Sequence, residues 1–194
     1  MSSTSQWPLP TQGIRFLTPA FMLEQLHRHP LTRDCYPTAM GYYPQAAGHR
    51  MRRPRHDDNL LLYCVDGRGR LRIDGQRQDI GPGDPEHPWS LYWIHFQGIS
   101  SRIFMEYLGY REGKAVVHAG IAPGLIAAFH TLLAVNRTGY SSSAFINAAN
   151  QCRHLFTQIV LETNRQRATH TAGLDLEAIQ GIMQDRIHGS LELE

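Results

Sequence analysis

The chain has few of the features that mark disulfide-rich, zinc-binding or redox proteins. Its 194 residues include three cysteines, Cys35, Cys64 and Cys152, which are far apart and form no Cys-x-x-Cys spacing. Cys64 falls in an apolar segment and Cys152 in a helical pattern, so both are interpreted as small buried apolar residues. This cysteine usage is typical of a protein in a reducing compartment.

Long hydrophobic runs and a strong charge imbalance are also missing. No apolar run approaches the roughly 20 residues that a transmembrane helix needs. The polar, proline-containing segment 1–12 lacks the apolar region of a secretory signal peptide. The formal net charge of +2 gives no general attraction to nucleic acid or to a membrane surface. We therefore expect a cytoplasmic protein that does not interact with membranes.

The short motifs of common catalytic and cofactor sites do not occur. There is no Gly-x-Ser-x-Gly motif, no P-loop and no dinucleotide fingerprint that opens a helix. Gly67-Arg68-Gly69 is interpreted as a hairpin turn, and the adjacent Asp57 and Asp58 as turn residues. The sequence therefore predicts no catalytic residues and no cofactor.

The middle of the chain has the pattern of short strands joined by tight turns. Leu60–Val65 is a continuous apolar run, which predicts a strand buried on both faces. Apolar and charged residues then alternate up to Asp74-Gly75, a strong hairpin signal. A second turn follows at Gly81-Pro82-Gly83-Asp84, and Trp89–Gly98 is an aromatic strand. This pattern of short strands and tight turns is typical of an antiparallel β-barrel.

From Ala122 the apolar spacing becomes helical. Pro123 begins a helix that Gly139 ends, and one of the serines Ser141–Ser143 caps a longer helix that runs to about Arg165. Polar residues from Gln166 to Gly173 predict a linker. Leu174–His188 is a further amphipathic helix, and Leu191–Glu194 has the pattern of the start of another, so we expect the sequence to be part of a longer protein.

These motifs, in this order and followed by two helices, resemble the regulatory half of AraC-family transcription regulators. The resemblance covers most of residues 36–165, and its motifs are Leu60–Gly69, Gly81–Asp84 and Trp89–Gly98, above all Trp93-Ile94-His95-Phe96-Gln97-Gly98. It implies a mainly β fold with added α-helices, a cupin-like antiparallel β-barrel or jelly roll followed by a helical hairpin. The implied organisation is an N-terminal arm (1–35), an effector-binding barrel (36–121), a helical dimerisation hairpin (122–166), a linker (167–173) and the start of a truncated helix-turn-helix DNA-binding domain (174–194).

One departure from the family pattern lies between Asp84 and Pro85. In the family, the Pro-Gly-Asp turn is followed by an apolar strand and a loop before the tryptophan strand, whereas here Asp84 runs directly into Pro85-Glu86-His87-Pro88. A barrel without that strand would expose two unpaired edges. We therefore expect either a deletion or a segment missing from the sequence at this junction.

The resemblance also implies a set of ligand-binding residues. Trp93 would stack on the ligand, and Arg53 would offer a guanidinium fork to hydroxyls or carboxylates. His95, Tyr42 and Leu91 complete the predicted set. The alternatives are that Trp93 only fills the core and that the arginines around Arg53 form a solvated loop.

Metal binding is not expected. Metal-dependent cupins share a His-x-His motif with a downstream Glu and a further His, and no His-x-His occurs in the barrel segment. His49 and His56 lie seven residues apart before the apolar strand, and His95 stands alone.

The long helix offers a candidate dimer surface. Small residues allow a second helix to approach closely, and asparagines near the seam set the register in a dimer. The alternative is that the whole apolar stripe packs on its own barrel. The predicted dimerisation residues are Asn147, Ala148, Asn150, Gln151 and Leu155.

The function implied is that of a sensor and not of an enzyme. We expect a small-molecule effector, preferably a carbohydrate, bound in the barrel of a homodimer, with DNA contacted only through the C-terminal domain. A metal-dependent cupin enzyme (isomerase or dioxygenase) and a cupin that only mediates assembly are the alternatives.

Overall fold

The fold consists of strands followed by two longer helices, in the order that the sequence pattern predicts. The computed structural model describes residues 7–51, 57–73, 75–83, 86–137 and 139–171. The strands are β1 (Ile14–Leu17), β2 (Tyr36–Tyr43), β3 (Asn59–Asp66), β4 (Gly69–Ile73), β5 (Gln76–Ile80) and β6 (Ser90–Gln97). The helices are α1 (Ala20–Arg28), α2 (Ser101–Tyr107), α3 (Pro123–Leu133) and α4 (Ser142–Thr171), with a 3-10 turn at Ala134–Arg137. The mixed β and α fold class is confirmed.

The strands form a four-stranded sheet, in the order β1-β2-β6-β3, and a two-stranded hairpin of β4 and β5. All of these strand pairs are antiparallel. The aromatic strand β6 is therefore central, between β2 and β3. Because β3 lies at the edge of the sheet, Leu60, Leu61 and Leu62 are only half-buried, and the prediction that this run is buried on both faces is wrong.

Glycine makes the turns that separate the strands after β3. Gly67 has a φ of 64°, and its N–H donates a 2.8 Å hydrogen bond to Oδ1 of Asp66. Gly75, with a φ of 78°, lies between β4 and β5. These are left-handed conformations that glycine adopts without strain. The predicted β4–β5 hairpin is confirmed.

The long helix α4 begins as predicted but ends later. The hydroxyl oxygen of Ser141 accepts a 3.3 Å hydrogen bond from the backbone N–H of Ala144, which caps the first turn. The helix then continues to Thr171, past the predicted end at Arg165. Residues 167–171 of the predicted linker are therefore helical, and Arg167 and Ala168 have a high helix propensity. The predicted DNA-binding segment, residues 174–194, lies outside the described residues.

The described part of the predicted N-terminal arm (1–35) contains regular structure. Ile14–Leu17 pairs with β2 and belongs to the sheet. The short helix α1 (Ala20–Arg28) follows in the same region. Helix α2 was not predicted; its side chain Phe104 packs on Phe156 of α4, with ring centroids 5.8 Å apart.

The main core lies between one face of the sheet and the helices. Tyr92, Ile94 and Phe96 point from β6 into this core. Phe96 contacts Phe156 at 4.7 Å between centroids, and Tyr92 stacks on Phe129 of α3 at 4.7 Å. Helix α4 thus covers the back of the strand that bears the predicted ligand residues.

Candidate ligand-binding site

The opposite face of the sheet is concave and carries alternate residues of the same strands. Side chains of a strand point to opposite faces in turn, so Leu91, Trp93 and His95 face away from the helices. All three line a large open depression. Trp93 lies between Gly41 of β2 and Leu62 of β3 in the sheet register. The sheet therefore presents its central indole at the floor of this depression.

Trp93 is buried by close neighbours on this face and has an unused polar atom. It is 7% exposed, and a Cβ on Gly41 would come within 2.6 Å of its ring. Its ring meets Tyr43 at 5.3 Å and the edge of His95 at 5.6 Å between centroids. The indole Nε1 is buried and has no hydrogen-bond partner among the described residues. A buried donor without a partner costs free energy, so a hydrogen bond from this N–H to an acceptor would be stabilising.

An aromatic cluster (Trp7, Tyr43, His49 and Trp93) extends from this indole. Tyr43 is its centre, with ring centroids 5.2 Å from Trp7 and 5.1 Å from His49. Trp7 reaches the cluster from the N-terminal segment, and its indole N–H donates a 2.9 Å hydrogen bond to the carbonyl oxygen of Ala47.

Arg15 fastens the N-terminal segment to the cluster. Its Nε donates to the hydroxyl oxygen of Tyr43 at 2.9 Å, and its Nη2 donates to the carbonyl oxygen of Trp7 at 3.2 Å. The guanidinium also lies over the Tyr43 ring, 5.4 Å from its centroid. A positive charge is thereby fixed at the edge of the aromatic cluster.

His95 is held by a carboxylate. Its Nδ1 lies 3.1 Å from Oδ2 of Asp58, and its side chain is 4% exposed. The same Asp58 oxygen accepts a 3.4 Å hydrogen bond from the hydroxyl of Thr38. The pair fixes the orientation of the imidazole beside Trp93.

His49 is an uncharged member of the cluster. Burial, and secondly the charge of Arg15, lower the pKa of His49 below its ordinary value of 6.5. Its Nε2 is buried without a partner among the described residues. The imidazole is therefore neutral at pH 7 and can donate or accept a hydrogen bond, depending on its tautomer.

This lowered pKa predicts acid sensitivity. As the pH falls, His49 binds a proton in the unfolded chain before it binds one in the folded protein. The stabilising contribution of neutral His49 is therefore complete above the unfolded pKa, about 6.5, and is lost as the pH falls from there through the folded pKa. Urea unfolding at several pH values should show a smaller loss of stability on acidification for His49→Phe than for the wild type. An equal loss in both proteins would contradict this interpretation of His49.

The predicted ligand residues are only partly brought together. Trp93, Leu91 and His95 line the concave face, but Tyr42 does not fit the prediction. Tyr42 lies opposite Tyr92 in the register and stacks on it at 4.5 Å between centroids, on the helix side of the sheet. Arg53 lies outside the described residues. The binding roles of these residues remain predictions.

Sequence reasoning missed Tyr43, His49, Trp7 and Arg15. The available signal for Tyr43 was its position next to Tyr42, with the opposite parity along the strand. His49 and Trp7 belong to irregular segments and reach the site through contacts distant in sequence, with no periodic pattern to mark them.

The predicted dimerisation residues fall on different sides of α4. Ala148 and Leu155 are buried in the core of their own chain, so the prediction that they face a second copy is corrected. The buried stripe of α4 packs against the sheet and against α3 of its own chain. Asn147 and Asn150 are exposed and Gln151 is half-buried.

Among the described residues, no group of three or more His, Cys, Asp or Glu side chains is placed to hold a metal ion. The described helices include none with the length and apolar character to cross a membrane.

Comparisons with known proteins agree with this geometry. Residues 37–85 match the family model described as the AraC-like ligand binding domain. The sheet, its concave face and this match define a ligand-binding domain of the AraC-like type. The chain is also 37% identical over 213 aligned positions to the MmsAB operon regulatory protein of Pseudomonas aeruginosa, an alignment that covers 100% of this chain and 68% of the relative. The chain belongs to the AraC family of transcription regulators.

The alignment also bears on the junction at Asp84 and Pro85. Its 213 positions exceed the 194 residues of the chain, so the relative has residues at 19 or more positions where this chain has none. The family match ends at Pro85. A family segment absent between Asp84 and Pro85 would account for such positions, and its absence at this junction stays a prediction.

Proposed function

We propose that the chain is the effector-sensing and dimerisation part of a cytoplasmic transcription regulator. It binds a small metabolite, a sugar or a related compound, over Trp93 and so controls DNA binding by a C-terminal helix-turn-helix domain. The observation that carries the proposal is the buried, unpartnered indole N–H of Trp93 on the concave face of an AraC-like ligand-binding domain. The relative's name, an operon regulatory protein, supports a role in gene regulation.

The alternation along β6 supports coupling between the ligand and the helices. Trp93 and His95 face the depression, whereas Ile94 and Phe96 between and beside them face the core. A ligand that binds one arrangement of Trp93 better than another biases the packing of Phe96 on Phe156. Binding then shifts the populations of two arrangements of α4. The size of this shift is set by the difference in the ligand's affinity for the two arrangements.

The dimer surface that we propose is the polar side of α4, around Asn147 and Asn150. Both side chains are exposed, and the apolar stripe behind them is anchored in the core. Asparagines at a helix–helix seam fix the register of a pair.

Thermal unfolding of the chain against sugars, sugar acids and small aromatic acids tests this proposal. A compound that binds only the folded state at 100 times its Kd adds about 2.7 kcal/mol of stability, which is an easily measured shift. We expect at least one compound to raise the Tm of the wild type and to lose this effect on Trp93→Ala. If every compound that raises the Tm of the wild type raised that of Trp93→Ala equally, the proposed site would be contradicted. If sedimentation of the same samples showed a monomer, the proposed dimer would be contradicted.

A further inference from the structure

The polar atoms at the aromatic cluster are mostly hydrogen-bond donors. The indole N–H of Trp93 donates and cannot accept. It belongs to a side chain more than nine-tenths buried, on the floor of the depression, and it has no partner among the described residues. The ligand group that satisfies it must therefore be an acceptor.

Tyr43 adds a second donor to the cluster. Its hydroxyl oxygen accepts a hydrogen bond from Nε of Arg15 at 2.9 Å, so its own hydrogen is directed elsewhere. The ring of Tyr43 adjoins that of Trp93, with 5.3 Å between centroids. Two adjoining rings of the cluster thus each carry one donor, a hydroxyl on Tyr43 and an indole N–H on Trp93.

The carboxylate that lies beside His95 already accepts hydrogen bonds. The carboxylate of Asp58 already receives His95 and Thr38. A polyol brings a hydrogen on each hydroxyl, and each needs an acceptor when it is buried. The apolar cluster on this face includes Leu60 and Leu91 beside the aromatic rings, and such a surface fits an apolar body better.

The fixed charge at the cluster has the sign that attracts an anion. Arg15 is part-buried against Tyr43, and its field is strong enough to contribute to the lowered pKa of His49. A positive charge that disfavours protonation of a neighbour favours a negative group in the same place. Charge-assisted hydrogen bonds to such a group are stronger than neutral ones.

We infer that the effector is a small carboxylate with an apolar body, whose carboxylate accepts the indole N–H of Trp93 in the field of Arg15. This inference rests on the proposed function and narrows its ligand class from sugars in general to acids. A sugar acid retains the carboxylate and a ring face for stacking. A neutral sugar lacks the group that the donors require.

Matched pairs of compounds test the inference on the full chain. Gluconate is compared with glucose, galacturonate with galactose, and benzoate with benzyl alcohol, by thermal shift and calorimetric titration. The variants are Trp93→Phe and Tyr43→Phe, each of which keeps an aromatic ring and deletes one donor. Tyr140→Phe is the control, because it makes the same substitution as Tyr43→Phe at a tyrosine that is 66% exposed and does not line the depression.

We expect an acid to bind more tightly than its neutral partner, and Trp93→Phe to weaken the acid about 10- to 100-fold, the usual effect of losing a hydrogen bond to a charged group. Tyr140→Phe should stay within about twofold of the wild type. Equal binding of a neutral partner, or an acid preference that survives in both Trp93→Phe and Tyr43→Phe, overturns the inference but leaves the proposed function. Failure of every compound overturns both, and Tyr43→Phe provides the answer if Trp93→Phe does not fold.

Discussion

Replacement of Phe156 by alanine is expected to lower the free energy of unfolding by about 3–5 kcal/mol. Phe156 has no exposed surface and lies at the centre of α4, where its ring contacts Phe96 of β6 and Phe104 of α2. Its removal leaves a cavity shared by three elements, which cannot all close on it. A domain of this size has about 5–15 kcal/mol of total stability, so the variant should be close to unfolding at 37 °C.

Urea denaturation monitored by circular dichroism measures this effect. Leu161→Ala is the control on the same helix, because Leu161 is 63% exposed and should change stability by less than about 0.5 kcal/mol. Equal stability of the two variants would show that α4 does not pack on β6 as described.

The second large effect is expected for Gly41→Ala. The new methyl group would clash with the carbonyl oxygen of Ile14 and lie 2.6 Å from the ring of Trp93. Neither neighbour moves easily, because Ile14 is paired with β2 and Trp93 is packed between two strands. We expect a loss of about 1–3 kcal/mol from overpacking. We also expect ligand binding to weaken more than in a variant of equal stability, since Trp93 is displaced.

Gly124→Ala is the matched control for this substitution. Gly124 lies in α3, and an added Cβ there meets nothing within 4 Å. Alanine in an exposed helix position is neutral or stabilising by up to about 1 kcal/mol. If Gly41→Ala behaved like Gly124→Ala in both urea unfolding and calorimetric binding, the close contact between β2 and Trp93 would be refuted.

The periodic segments could be predicted from the sequence because each has one dominant pattern. The alternation in β4, the apolar stripe of α3 and the serine cap of α4 each place the element correctly. Because side chains alternate along a strand, the residues of β6 that line the site can be predicted once Trp93 is known to face the depression.

The choice between Tyr42 and Tyr43 could not be made from the pattern. Both faces of β2 are covered, by the helices on one side and by the aromatic cluster on the other, so burial does not alternate along the strand. A register irregularity between Pro37 and Ala39 further shifts the parity. Only the tertiary packing shows that Tyr43 faces Trp93.

The end of α4 and its dimer residues depended on information that lies outside the helix. Polar residues after Arg165 are compatible with a linker or a helix, and the structure continues the helix to Thr171. A helix stripe with Ala148 and Leu155 can cover its own sheet or a second copy, and here it covers its own sheet. Sequence periodicity identifies an apolar face but not the surface against which it packs.

The continuity of α4 makes it a rigid lever. At 1.5 Å per residue, its 30 residues span about 45 Å, and about 22 Å of this length lies between Phe156 and Thr171. A tilt of about 10° around Phe156 would therefore carry Thr171 through roughly 4 Å. A small rearrangement of side chains under the sheet thus produces a larger displacement at the C-terminal end of α4, where the chain continues toward its C-terminal residues.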